Sequence, residues 1–162
     1  HLGARVIGVV SNDEKAMLSK SYGCDDIILS DENIPERVRE LTDSIGVGVV
    51  YDSVGRDTFF SSLDSLKPHG ILVTFGNASG PVDPFAPAEL AKRHSLYVTR
   101  PILADFISER ENLVEASNEL FDLVSSGVIK ISINQRYPLK DTRQAHIDLE
   151  SRKTTGSTIL IP

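Results

Sequence analysis

Three polar residues follow the first buried run of the chain. VIGVV (6–10) reads as a strand, Ser11 and Asn12 come directly after it, and Lys15 lies one turn further on. Hydroxyl and amide donors beside a cation suit a phosphate group. The pattern therefore indicates a phosphate-binding turn, with a solvated helix lysine at position 15 as the alternative interpretation.

The other reactive side chains show no catalytic spacing. Ser79 stands among glycines in GNASG but does not fit the G-x-S-x-G nucleophile turn, so we interpret it as part of a glycine-rich loop. Asp52, at the end of a predicted strand, is interpreted as a helix cap or turn former. The histidines and the one cysteine lack the paired spacing of a zinc site, so we expect no metal. They are His1, Cys24, His69, His94 and His146.

Short β-branched runs alternate with helix-like segments up to residue 75. Several runs are apolar at consecutive positions, which is typical of strands covered on both faces of a parallel sheet. The sequence therefore predicts a doubly wound α/β fold with right-handed crossovers. The predicted strands span 6–10, 26–29, 47–53, 71–75, 96–99 and 158–161.

Caps, prolines and apolar spacing mark the helices between these strands. Asn12 or Asp13 can cap a helix over residues 14–22 that Gly23 ends, and Pro35 suits the first position of a second helix. A third helix is marked by four apolar residues, Phe59, Phe60, Leu63 and Leu66.

The last third of the chain has a different pattern. Regular alternation stops at Pro101, and we expect a domain boundary near residues 101–107. VIKISI (128–133) alternates like a half-buried strand. Two capping-box patterns predict a helix on each side of it: Ser108 with Glu111, and Asp141 with Gln144.

Composition and charge narrow the classes of function. The net charge is −6 and no basic run occurs, which argues against binding to nucleic acid or an anionic membrane. No apolar run is long enough to span a bilayer. A single cysteine suits a reducing compartment, so we expect a cytoplasmic protein.

The start of the chain bears on the fold. A dinucleotide-binding fold carries its glycine-rich turn about 20 residues before the end of the second strand. If VIGVV is that second strand, we expect the first strand and the glycine turn to precede residue 1. The acidic residue that favours NAD at the end of this strand is replaced here by Val10, followed by Ser11 and Asn12.

Six stretches resemble the zinc-independent NADPH:quinone oxidoreductases, the zeta-crystallin-like branch of the medium-chain dehydrogenase/reductase superfamily. They are VVYDSVGRDTF (49–59), LVTFGNASG (72–80), SLYVTRP (95–101), EASNELFDLVSSGVIK (115–130), YPLKDTRQAH (137–146) and LESRKTTGSTILIP (149–162). In that family a GroES-like catalytic domain precedes a Rossmann domain, and the chain then returns to the catalytic domain. The resemblance thus implies a partial NADP-binding Rossmann domain at 1–103 and a returning α+β segment at 104–162.

The resemblance also assigns roles at the phosphate end of the cofactor. Ser11, Asn12 and Lys15 would surround the adenosine 2′-phosphate, together with Arg152 from the returning segment. Ser30 stands where family members often have a tyrosine near the adenine, so a stacking surface is lost while a hydroxyl is kept.

The resemblance also assigns roles at the nicotinamide end, where Val54 would lie under the cofactor. Phe75, Gly76 and Asn77 would meet the nicotinamide ribose. Thr99 and Arg100 would lie near the carboxamide.

The activity implied is the zinc-independent transfer of reducing equivalents from NADPH to a quinone or an α,β-unsaturated carbonyl compound. The substrate would bind against parts that this chain lacks, so no catalytic residue is assigned. The family commonly dimerises through the edge strand at residues 95–100. Without its first strand the sheet would have two unpaired inner edges, which predicts poor stability of the chain alone or pairing with another chain.

Two other interpretations stay open. The chain could be an α/β interaction or regulatory module without catalysis. It could also come from a zinc-dependent alcohol dehydrogenase, whose zinc-binding elements would lie upstream.

Overall fold

The computed structural model describes residues 1–162 and divides into two compact units. The first unit comprises Leu2–Phe106, and the second comprises Ile107–Pro162 with His1. None of the helices combines the length and the apolar character that a membrane-spanning segment requires.

Strands and helices alternate throughout the first unit, and all of its strand pairs are parallel. The strands are β1 (Ile7–Val10), β2 (Asp26–Leu29), β3 (Val47–Asp52), β4 (Leu66–Thr74) and β5 (Tyr97–Thr99). The helices are α1 (Asp13–Ser21), α2 (Ile34–Leu41), α3 (Phe59–Asp64), α4 (Ala88–Lys92) and α5 (Leu103–Phe106). The predicted α/β class with parallel sheets is confirmed.

The five strands form two separate sheets. One has the order β1-β2 and the other β3-β4-β5, so no hydrogen bonds join β1 to β3. This interruption lies beside β1, which the sequence predicts to be the second strand of a doubly wound sheet. Phe59, Leu63, Leu72 and Leu96 form the buried core of the three-stranded part.

The third helix is shorter than the sequence predicts. It ends at Asp64, and Leu66 opens β4 instead of closing the helix. Leu66 pairs with Val47, and an irregularity that includes His69 at φ 60° precedes the regular pairing from Ile71 onward. The chain tolerates Pro68 inside β4 because it lies in this irregular part.

The second unit pairs two parallel strands around a helix. It contains α6 (Arg110–Ser125), β6 (Ile133–Pro138), a 3-10 turn (Leu139–Asp141), α7 (Thr142–Glu150) and β7 (Ser157–Ile161). The Tyr137 hydroxyl donates to Asp148 Oδ2 at 2.8 Å, which joins β6 to α7. This hydrogen bond raises the pKa of Tyr137.

The strand prediction for residues 128–133 was wrong except at its last residue. The amide of Ile129 donates to Leu123 O at 3.0 Å, so this segment folds back on the end of α6. The strand begins at Ile133 because that residue meets the start of β7 at Ser157.

The predicted capping box of Asp141 with Gln144 does not form, and the N-cap residue of α6 differs from the prediction. Helix α6 has Glu109, not Ser108, as its N-cap residue. Asp141 is the N-cap residue of α7 but makes no side-chain cap bond. Gln144 donates forward along the helix to Asp148 Oδ1 at 2.9 Å, so its side chain does not reach back to Asp141.

Candidate functional site

The proposed phosphate-binding turn is the start of α1. Asn12 is the N-cap residue, and its Oδ1 accepts a hydrogen bond from the amide of Lys15 at 2.9 Å. The Asn12 side chain thus satisfies the first turn of the helix and keeps its Nδ2 group as a donor. Ser11 and Asn12 are both exposed, and Lys15 is half-buried.

Ser30 lies beside this turn. Its amide donates to Val10 O at 2.8 Å, which joins the carboxyl ends of β1 and β2. Its side chain is exposed. Ser11, Asn12, Lys15 and Ser30 therefore come together at the edge where parallel α/β sheets bind ligands.

A buried carboxylate organises the matching edge of the three-stranded sheet. Asp52 is 5% exposed and ends β3. Its Oδ1 accepts from the amides of Val54 at 2.8 Å and Gly55 at 3.1 Å. Its Oδ2 accepts from the hydroxyls of Thr58 and Ser62, both at 2.7 Å. The interpretation of Asp52 as a turn former is confirmed.

The same contacts decide the ionisation of Asp52. Burial raises the pKa of this carboxyl, but the bonds from Ser62 and Thr58 and from the amides of Gly55 and Val54 lower it by more in total. The pKa therefore lies below its ordinary value, and Asp52 is an anion at neutral pH.

Two loops pack together at this edge, residues 53–58 after β3 and residues 75–80 after β4. Val54 O accepts from the Ser79 amide at 2.8 Å and from the Ser79 hydroxyl at 2.9 Å. The Ser79 hydroxyl also accepts from the Asp57 amide at 3.1 Å. Ser79 is thus a loop residue, as the sequence indicated.

Glycines make this close packing possible. A Cβ on Gly76 would lie 2.1 Å from Ser53 O, and one on Gly55 would lie 2.6 Å from Gly80 O. Both contacts are with backbone atoms, so neither can be relieved by a side-chain rotation. The absence of a side chain at Gly76 is therefore required by the neighbouring loop.

Arg100 joins the ends of β4 and β5. Its Nη1 donates to Thr74 O at 3.1 Å and to Gly76 O at 3.0 Å. Thr99 precedes it on β5 and is exposed, as are Phe75 and Asn77. Val54, Phe75, Gly76, Asn77, Thr99 and Arg100 thus share one edge of the sheet.

Arg152 belongs to the second unit and directly follows the Ser151 cap of α7, with φ 59°. It is exposed. Its assignment to the phosphate site stays a prediction.

Thr58 and Ser62 are the partners that sequence reasoning missed. Both donate to Asp52, from six and ten residues further along the chain. The Asp-Ser-Val-Gly turn was a local signal for an Asx-type turn, but nothing local shows that helix α3 brings Ser62 to the same carboxylate.

A cavity of about 330 Å³ lies at the opposite edge of the three-stranded sheet. Its cations are engaged: Arg93 pairs with Asp64 at 2.6 Å and with Glu89 at 2.7 Å, and Lys92 pairs with Glu89 at 2.6 Å. Helices α2, α3 and α4 end here, and their negative dipole ends account for the cluster of positive side chains.

No three His, Cys, Asp or Glu side chains lie close enough together to hold a metal ion. The polar residues of the first unit instead gather at the carboxyl ends of parallel strands. This arrangement is typical of nucleotide-binding α/β domains.

A family comparison narrows this class. Residues 22–160 match the family model described as zinc-binding dehydrogenase, and the chain belongs to that family.

The matches to similar proteins extend over the whole of this chain but over only part of each relative. A quinone oxidoreductase of Salmonella typhimurium is 52% identical over 99% of the chain and 50% of the relative. A 2-haloacrylate reductase of a Burkholderia species is 44% identical over 100% of the chain and 49% of the relative. The crystal structure of Escherichia coli quinone oxidoreductase complexed with NADPH has a TM-score of 0.95 at 50% identity, covering 99% of this chain and 50% of that one. The chain thus spans about half the length of these relatives.

Proposed function

We propose that the chain is part of an NADPH-dependent oxidoreductase that reduces quinones or related α,β-unsaturated carbonyl compounds without zinc. The observation that carries the proposal is the gathering of the predicted cofactor residues, other than Arg152, at the carboxyl ends of parallel strands. The similarity to quinone oxidoreductases, one of them crystallised with NADPH, supports the choice of cofactor and substrate. The 2-haloacrylate reductase supports the wider class, because a haloacrylate is also an activated alkene.

The turn at the start of α1 would hold the adenosine 2′-phosphate. Ser11 and the Asn12 Nδ2 group offer donors that suit a phosphate, and Lys15 and Arg152 supply positive charge. Ser30 would lie near the adenine. Because Asn12 remains a neutral cap, it adds no negative charge where the phosphate binds.

The loops after β3 and β4 would hold the other end of the cofactor. Val54 would lie under it, Phe75, Gly76 and Asn77 would meet the nicotinamide ribose, and Thr99 and Arg100 would lie near the carboxamide. When bound, NADPH supplies the reducing equivalents, and the protein supplies orientation. Arg100 is proposed to act by holding the Gly76 carbonyl and thus the shape of the ribose-binding loop.

The remaining proposals concern the whole protein. The chain would comprise a partial Rossmann domain, residues 1–103, and a segment of the catalytic domain, residues 104–162. The full-length protein would be a cytoplasmic homodimer joined through the edge strand at residues 95–100. The quinone would bind against parts of the catalytic domain other than residues 104–162, so no catalytic residue is assigned in this chain.

The test is NADPH oxidation by the full-length protein that carries this chain. We expect oxidation that depends on added quinone or enone and is faster with NADPH than with NADH. A protein that binds NADPH but turns over no quinone or enone contradicts the proposed substrates. A protein that binds no NADPH contradicts the proposal as a whole and favours a non-catalytic module.

Zinc independence has its own test. We expect the purified full-length protein to contain no stoichiometric zinc and to keep its quinone reductase activity after dialysis against a chelator. Loss of activity on dialysis, with recovery on adding zinc, would identify a zinc-dependent dehydrogenase instead.

A further inference from the structure

Val54 is held by side chains on both sides of its backbone. Its amide donates to Asp52 Oδ1 at 2.8 Å, and its carbonyl accepts two hydrogen bonds from Ser79, at 2.8 and 2.9 Å. The Val54 backbone is therefore fixed between the end of β3 and the loop after β4.

The Asp52 carboxylate is itself held in place. Thr58 and Ser62 donate to Oδ2, so the carboxylate cannot turn away from the amides of Val54 and Gly55 without losing bonds to α3 and its N-cap residue. Because Asp52 is only 5% exposed, water has little access to the carboxylate and cannot readily replace these bonds. A rigid element thus supports the carboxylate, and the carboxylate supports the turn.

Ser79 completes the arrangement from the other loop. Its hydroxyl donates to Val54 O and accepts from the Asp57 amide at 3.1 Å, so it bridges two points of the first loop. The sequence offers no catalytic base or acid for Ser79, and the structure uses its hydroxyl in these two bonds.

We propose that Asp52 and Ser79 are positioning residues that hold Val54 where it supports the nicotinamide half of the bound cofactor. This inference rests on the proposed function. Neither residue needs to touch the cofactor, because both act through the Val54 backbone. The adenosine half binds at the separate β1-β2 edge and does not depend on this arrangement.

The test compares two ligands of the full-length protein by calorimetry. NADPH reports on both halves of the site, whereas adenosine 2′,5′-bisphosphate carries the adenosine phosphate end and no nicotinamide. For Ser79→Ala we expect NADPH binding weaker by about threefold or more, since the hydroxyl's bond to Val54 O and its bond from the Asp57 amide are both lost. Binding of adenosine 2′,5′-bisphosphate should stay unchanged.

Ser65→Ala is the matched control. Ser65 is buried and its hydroxyl donates to Ser61 O at 2.8 Å, so this variant likewise loses a serine bond to a backbone carbonyl, but away from Val54. We expect unchanged affinity for both ligands. Equal effects of Ser79→Ala and Ser65→Ala on NADPH binding would overturn the inference.

Asp52 is tested with two variants. Asp52→Asn keeps an oxygen for the amides of Val54 and Gly55, and the hydroxyls of Thr58 and Ser62 can rotate to accept from the new amide. We expect it to retain NADPH affinity, and Asp52→Ala to lose roughly tenfold with adenosine 2′,5′-bisphosphate unaffected.

If Asp52→Ala does not fold, the Asn variant and Ser79→Ala still decide the question. Equal weakening of both ligands in Ser79→Ala, or unchanged NADPH binding in it, contradicts the positioning role. A wild-type protein that binds neither ligand contradicts the proposed function itself, before any variant is compared.

Discussion

Asp52 shows how one side chain can depend on both sequence and packing. Its position at the end of a strand, followed by Ser-Val-Gly, indicated a turn. The structure adds the hydroxyls of Thr58 and Ser62 and buries the carboxylate. A buried anion is stable only when donors surround it, and here four groups donate to its two oxygens.

The lowered pKa of Asp52 makes a prediction about stability and pH. Because the folded-state pKa is below the ordinary value of 3.8, the ionised carboxylate stabilises the fold above that pH. This stabilisation is lost as the pH falls through the lower folded-state pKa.

We therefore expect Asp52→Asn to be less stable than the wild type at pH 7, by about 1–2 kcal/mol, because bonds to a charged acceptor are lost. The gap should narrow as the pH falls below 3.8. Denaturant unfolding of both full-length proteins at several pH values measures it. A gap that grows on acidification would contradict the assigned direction.

Gly76 makes a second prediction at this scale. In Gly76→Ala the new Cβ would meet Ser53 O at 2.1 Å, so the two loops must separate. We expect a loss of about 1–3 kcal/mol in stability, which thermal unfolding measures. NADPH binding should also weaken.

Gly48→Ala is the control for Gly76→Ala, since its Cβ would meet only the flexible end of Lys67, at 3.5 Å. Gly48 lies on β3, and its backbone is not in the left-handed conformation that favours glycine. It should keep its stability and its affinity for NADPH. Equal effects of the two alanines would show that loop packing is not the cause.

At the scale of elements, the start of helix α1 has two roles, since its N-cap residue also belongs to the proposed cofactor site. Asn12 caps the helix through Oδ1, and the same residue lies in the proposed 2′-phosphate site. A carboxylate can cap a helix as well as an amide can, but a carboxylate in a phosphate site would repel the bound phosphate. The two roles can therefore be separated by substitution.

We expect Asn12→Asp to keep or raise the stability of the protein. It should weaken the binding of NADPH about tenfold relative to that of NADH, because the new carboxylate repels the 2′-phosphate. Asn12→Ala should cost about 1 kcal/mol of stability through the lost cap and alter the coenzyme preference less. Thermal unfolding and the ratio of the two dissociation constants measure these effects. An unchanged ratio in Asn12→Asp would remove Asn12 from the phosphate site.

For the whole molecule, the notable feature is the division of the first unit's strands into two sheets. The edge of β1 away from β2 and the edge of β3 away from β4 carry backbone groups without a neighbouring strand. Edges of this kind pair readily with other chains.

We therefore expect the isolated 162-residue chain to self-associate or to unfold without a sharp transition. Sedimentation and thermal unfolding measure these properties. Hydrogen exchange should be fast at the unpaired edges and slower in β4, which has a strand on each side. A monomer that unfolds in one cooperative transition would contradict this expectation.

The sequence by itself determined the class of fold and the edge at which the polar residues lie. Apolar runs of four to six residues separated by caps such as Asn12 and stops such as Gly23 are local signals, and the structure bears them out. The resemblance of its motifs, which also depends on sequence alone, indicated the family to which the chain belongs.

Tertiary structure decided what local signals could not. The strand expected at 128–133 begins at Ile133 because β7 is its partner, and Gln144 bonds to Asp148 instead of closing a capping box. The bonds from the hydroxyls of Ser62 to Asp52 and of Ser79 to Val54 O span 10 and 25 residues of sequence. Such contacts depend on which distant groups the fold brings within hydrogen-bonding distance, and no local pattern specifies that.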